Sequence, residues 1–278
     1  MDSAPVSPSR QIRITVWLTL LIMAALAWAI VVQQAQMSGS QSMPVRSGVN
    51  QNMSPMGDMS QEQPAMPMSS APVSIVFYLP LWVSMMVAMM FPAVAPMVSF
   101  FATISRSRRA MGQRAAPTWL FLAGYLVVWT LFGVAAYLVS LALPSLGMMA
   151  AGLRIDYPVA AGIILIATGL YQLSPLKQGC LRHCRSPLSV VLHGWHDGSA
   201  GAFRMGFEHG AYCVGCCWGL MLVLFVVGMM NLIGMVILTA IIFVEKVVPR
   251  GPLVGKLAAL ALIVFGIVTL VGPFLNRT

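Results

Sequence analysis

The chain is a succession of apolar runs too long and too continuous to be the half-buried elements of a soluble domain. Runs at about 14–32, 75–101, 118–142, 157–173, 210–230, 232–247 and 255–273 carry between them only Glu245, Lys246 and Lys256 as charged residues. A helix needs roughly 20 apolar residues to cross a hydrocarbon core about 30 Å thick. Charged residues make up 8% of the 278 positions and hydrophobic residues 59%, against about 25% charged in ordinary soluble domains. Such a chain cannot cover its own surface with polar groups, so its solvent must be largely the lipid bilayer. In hydrocarbon, backbone donors and acceptors are satisfied only within helices or closed barrels, and unalternating runs select helices over barrel strands. The expected fold is an all-α polytopic transmembrane helix bundle of about seven spans.

Three regions follow. Residues 1–32 hold Arg10 and Arg13 followed by an apolar run. That pattern resembles a signal sequence, but the run is long enough to span, so an uncleaved signal-anchor helix is expected. Residues 33–74 are rich in Gln, Ser, Pro, Gly and Met without apolar periodicity, which reads as a disordered Met-rich linker. Residues 75–273 form the transmembrane helical domain. Within it, Asn231 alone separates two runs and is flanked by Gly228 and Gly234. A tight hairpin is expected there, since residues 210–247 are too many for one crossing.

A cytoplasmic N-terminus and seven spans put every Lys and Arg on the cytoplasmic side except Arg46, Arg154 and Arg277. Reversing the orientation would invert the bias that the positive-inside rule demands. The net charge of +9 is thereby a topology signal. Its basic residues form no aromatic-interleaved patch, so nucleic acid is not an expected partner. The linker then lies outside, and the cysteines lie at or near the cytoplasmic face of a bacterial inner membrane.

The five cysteines are clustered rather than paired along the chain. Cys180-Leu-Arg-His183-Cys184 and His209-Gly-Ala-Tyr-Cys213-Val-Gly-Cys216-Cys217 flank one loop. If the second segment opens a helix at about 100° per residue, His209 at 0° puts Cys213 near 40°, Cys216 near −20° and Cys217 near 80°. One arc then presents all four. Thiolates with imidazole suit Cu(I) or Zn(II), and a reducing cytoplasm keeps thiols available. Arg182, Arg185 and Arg204 lie close in sequence and are expected to favour thiolate. The competing reading is that cysteine is a small buried hydrophobe. His193 and His196 read as polar loop residues beside a Trp195 anchor. Glu208 is placed to orient His209 or to act as an occasional ligand, and Glu245 beside Lys246, within reach of the interface, reads as a topological or structural ion pair rather than a proton relay.

Methionine is the other excess, with 22 copies. Met85, Met86, Met89, Met90 and Met97 share one side of the second run, a candidate Cu(I) pathway wall because thioether sulfur is soft. Ordinary helix packing is the alternative. Pro92 and Pro96 are expected to kink this helix and free carbonyls. Met53, Met56 and Met59, with Asp58 among them, form a candidate outer metal-capture segment.

Four segments resemble a bacterial family described as predicted metal-binding integral membrane proteins (domain of unknown function 2182). They are Met85–Met97, Gly169–Pro187, Met205–Met221, and Phe225–Asn231 with Glu245-Lys246. The resemblance covers roughly 75–273 and implies metal binding by Cys180, Cys184, His209, Cys213, Cys216 and Cys217. His183 joins the candidates by position. No phosphate-cradling Gly loop and no Ser nucleophile elbow is present, so binding rather than catalysis is expected. The leading expectation is a membrane protein that binds and delivers or transports a soft metal, copper first and zinc second. Its expected partner is a metallochaperone or a membrane metalloenzyme. The alternatives are a thiol–disulfide protein using Cys213-Val-Gly-Cys216, and a non-catalytic assembly subunit.

Overall fold

The computed structural model describes residues 8–40, 74–113, 116–152, 157–186, 197–228 and 231–275. Among these the chain forms eight helices and no strand: α1 (Pro8–Ser40), α2 (Ile75–Ala110), α3 (Thr118–Gly152), α4 (Tyr157–Leu173), α5 (Pro175–Arg185), α6 (Gly198–Val227), α7 (Leu232–Val247) and α8 (Gly251–Leu275). The helical reading of the sequence holds, but the count of seven spans does not. Five helices are long and apolar enough to cross a membrane, or six if the bent pair α4–α5 is one span. The physical reason is length. The 17 residues of α4 and the 16 of α7 extend only about 25 Å, short of a hydrocarbon core of about 30 Å. The linker expectation also shifts, because α1 runs on to Ser40. The rest of that segment, with Met53, Met56 and Met59, lies outside the described residues.

Local chemistry sets the breaks. Pro175 forces Ser174 out of helical conformation. Ser174 then accepts from the Lys177 N–H as an N-cap, and α5 leaves α4 at 60°. At the other break α6 ends before Gly228, whose φ is +102°, a conformation glycine adopts without penalty. Asn231 starts α7 by accepting from the Gly234 N–H at 2.9 Å. The expected hairpin is present, and α7 returns along α6 until Lys246 reaches Cys213.

Three close pairings hold the bundle. α1 and α2 run antiparallel. α2 is continuous through Pro80, Pro92 and Pro96, and Pro92 cannot donate to the Ala88 carbonyl. Trp28 Nε1 of α1 donates to that carbonyl at 3.1 Å instead. α3 and α6 run parallel and nearly touch. A Cβ at Gly206 or Gly124 would fall on the backbone of Phe121 or Phe203, and one at Gly210 would meet the Tyr125 carbonyl at 3.2 Å. α4 and α8 approach in the same way through Gly162, Gly169 and Gly266. Small residues permit such approach where lipid supplies no hydrophobic drive between helices.

The helices do not all reach the same depth. Arg108 of α2 pairs with Asp197, the N-cap of α6, at 2.9 Å, which fixes one end of the bundle. Cys213 lies 15 residues into α6, about 22 Å from that end. The last turn of α7 and the α4–α5 elbow stop at the Cys213 level, where Lys246 meets Cys213 and Tyr171 meets the Gly215 carbonyl. Gly255, near the start of α8, lies against Glu245 at the same level. The cysteines therefore sit at a step in the bundle.

The α3–α6 contact makes a sharp prediction. Gly206→Leu should destabilise the protein by at least about 2 kcal/mol, since overpacking here displaces backbone. Gly179→Ala, where an added Cβ meets nothing within 4 Å, should be neutral or stabilising by up to about 1 kcal/mol. Thermal unfolding in detergent measures both.

Candidate functional site

α6 carries the site. Cys213, Cys216 and Cys217 are each 1% exposed and His209 is 3% exposed, so the arc expected from helical spacing is an inward face. The cluster sits in mid-helix rather than at the opening of the span, because α6 begins at Gly198. The thiols of Cys216 and Cys217 both donate to the Cys213 carbonyl, at 3.1 and 2.8 Å. This back-bonding to the preceding turn satisfies them locally.

α5 lies across this face. Cys184 Sγ is 3.9 Å from Cys216 Sγ. Cys180 lies over Gly215, where a Cβ would come within 3.0 Å of its sulfur. Tyr171 donates to the Gly215 carbonyl and holds α4 against the same turn. The two cysteine segments are therefore neighbours in space, and all five cysteines are free thiols.

The histidines are placed differently. His183 stacks on Tyr212 with ring centroids 3.9 Å apart. His209 packs beside the rings of Phe121 and Tyr125, at 5.9 and 6.1 Å, and its Nδ1 is buried without a hydrogen-bond partner. Among the described residues no three His, Cys, Asp or Glu side chains are spaced to hold a metal ion. What the geometry offers is a pair of sulfurs. With metal–sulfur bonds of about 2.3 Å, two sulfurs stand about 3.8 Å apart across a tetrahedral ion and about 4.6 Å apart across a linear one. The 3.9 Å separation lies inside that window.

Lys246 was not legible as part of the site. Its Nζ donates to Cys213 Sγ at 2.9 Å, and the Tyr125 hydroxyl lies 3.0 Å from the same sulfur. The available signal was a charged residue in an apolar run, which is functional by default. Adjacent helical residues diverge by about 100°, so Glu245 and Lys246 do different things. Glu245 forms the expected structural ion pair, but buried rather than at the interface: it is 2% exposed and bonded to Lys177 at 2.8 Å. Lys177 also donates to Gln172.

Two of the three arginines expected near sulfur, Arg185 and Arg204, are engaged elsewhere. Arg185 donates to the carbonyls of Glu245, Val248 and Pro249, closing the C-terminus of α7, where backbone acceptors are otherwise unpaired. Arg204 pairs with Glu208 at 2.9 Å on the surface; that replaces the expected role of Glu208 in orienting His209. Met85, Met86, Met89, Met90 and Met97 are all buried in the core cluster. His193, Trp195 and His196 lie outside the described residues.

A family model described as PpoB2, copper chaperone, matches residues 79–269. Neither the comparison with curated proteins nor that with solved structures finds a match.

The buried ion pair generates a test of the site's scaffold. Glu245→Gln strands the Lys177 ammonium and should cost about 3–5 kcal/mol. Adding Lys177→Met should recover most of that loss. A double-mutant cycle by thermal unfolding in lipid nanodiscs measures the coupling.

Proposed function

Because the chain belongs to the PpoB2 copper-chaperone family, whose match spans well over half its length, we propose that it is a membrane-embedded copper carrier that binds Cu(I) between α5 and α6 and hands it on. The observation that supports this most directly is the approach of Cys184 to Cys216 at 3.9 Å, from the separate helices α5 and α6. Cu(I) is soft and is satisfied by few thiolates. Structural zinc requires four closely placed ligands, and the described residues bring no such set together. Copper is therefore the proposed cargo.

Cys180 and Cys184 are only partly buried, whereas Cys213, Cys216 and Cys217 are wholly covered. This gradient supports ligand exchange from the α5 edge inward. Met53, Met56 and Met59 are proposed as outer capture groups, and Met85, Met86, Met89, Met90 and Met97 as the buried sulfur stripe between them and the thiols. His209, with its unpartnered Nδ1, is proposed as an auxiliary ligand. The proposed residence is a bacterial inner membrane, with the N-terminus and the 106–114 loop in the cytoplasm. The positive-inside rule supports that orientation, since the Arg108–Asp197 contact puts Arg106, Arg108 and Arg109 at the same end as the start of α6. The recipient is proposed to be a metallochaperone or a membrane metalloenzyme.

Anaerobic Cu(I) titration of the purified protein tests the binding reading. Cys184→Ser and Cys216→Ser should each weaken binding at least about tenfold, equivalent to about 1.4 kcal/mol. The triple change of Cys213, Cys216 and Cys217 to Ser should abolish it. Unchanged copper content in the triple variant would sink the proposal. For orientation, a cysteine-free background carrying Ser54→Cys should react with a membrane-impermeant maleimide in whole cells. Ser107→Cys should react only after permeabilisation, and the reverse pattern would invert the topology.

A further inference from the structure

Charge at a two-thiolate Cu(I) site does not balance without a second cation beside it. Two thiolates and one Cu(I) carry one net negative charge. Two thiolates and one Zn(II) carry none. In a buried site the difference is large, because an uncompensated charge away from water is costly. The groups facing the cluster are few. Lys177 and Glu245 neutralise each other at 2.8 Å. Arg204 and Glu208 do the same on the surface. Arg185 is directed at backbone carbonyls. Tyr125 brings a neutral hydroxyl. Lys246 is different. Its Nζ lies 2.9 Å from Cys213 Sγ, and among the described residues it forms no ion pair with a carboxylate. One cation therefore faces the thiols with no acid to cancel it.

We propose that Lys246 is the specificity-determining residue of this site. Its ammonium completes a neutral assembly with a monovalent soft ion held by two thiolates, and leaves a divalent ion in the same position carrying one excess positive charge. The proposal rests on the copper-binding reading above and adds the means of discrimination. It uses the place of the cation as well as its charge. α7 is too short to span and ends at the Cys213 level, and Arg185 holds its last carbonyls. The lysine backbone is thus fixed one side-chain length from the sulfur. Lysine suits this place because its charge is compact, and its ammonium can donate to Cys213 without displacing a ligand. Binding of Cu(I) exchanges thiol protons for the metal, while Lys246 keeps its own proton and stays outside the coordination shell.

The test compares two ions on the full-length protein in detergent. Cu(I) affinity is read anaerobically by competition with bicinchoninate, and Zn(II) affinity by competition with a chromophoric chelator. In Lys246→Met, Cu(I) affinity should fall by about 100-fold and Zn(II) affinity should rise, since a close charge pair of opposite sign is lost in one case and a repulsion removed in the other. Lys246→Arg keeps the charge and should keep most of the preference for Cu(I). If Lys246→Met does not fold, Lys246→Gln makes the same comparison. A Cu(I)-to-Zn(II) preference in the neutral variants equal to that of the wild type overturns the inference while leaving the copper site standing. If Cys184→Ser and Cys216→Ser retain Cu(I), the copper reading itself has failed, and this inference goes with it.

Discussion

The structure depends on how closely α6 can approach its neighbours. In lipid, helices gain nothing from hiding apolar surface from each other, and contact must come from packing and polar bonds. α6 solves this twice. Gly206 and Gly210 let it lie against the backbone of α3, and Gly215 and Gly219 open its other side to α5 and α4. Cys213 sits between these two glycine pairs, and Cys216 and Cys217 sit between Gly215 and Gly219. The helix that carries three of the five cysteines is thus clasped on both sides, and the cysteines are buried because the glycines are bare. Tyr125 and Tyr171 use the same proximity to reach Cys213 and the Gly215 carbonyl.

Burial in such a place makes charge expensive, and the chain spends its few charges accordingly. Lys177 and Glu245 meet although 68 residues separate them, tying the α4–α5 elbow to the end of α7. Arg185 reinforces the same joint through backbone carbonyls. These contacts hold a step in the bundle, where two helices too short to cross meet α6 partway along its length. That step is within reach of α5 and its partly exposed thiols. Under the proposed carrier role, this step would shield an ion while it is held and leave it reachable when passed on.

Several features could be read directly from residues. Low charge and continuous apolar runs specified helices long and apolar enough to cross a membrane. Asn231 between Gly228 and Gly234 marked a helix break, and it became one. The spacing of His209, Cys213, Cys216 and Cys217 marked a single helical face, and that face is buried. Other readings failed for identifiable reasons. Hydropathy measures composition along a window, so it did not register that α4 turns 60° at Ser174 or that α7 stops short. Proximity in sequence misassigned Arg185, Arg204 and Glu208, whose partners were decided by helix direction. Lys246 adjoins Glu245 in sequence, but neighbours on a helix face different ways.

By itself the sequence determined how apolar the helices are, the secondary structure and the inventory of sulfur and imidazole groups, because these follow from composition, periodicity and atom type, all of them local. Only the tertiary structure decided which ligands meet. Cys184 reaches Cys216 because Pro175 breaks a helix and Gly215 leaves room for the next one. Lys246 reaches Cys213 because α7 ends where it does. Such contacts join residues 32 or 33 positions apart, and they depend on lengths, bends and bare backbone surfaces acting together.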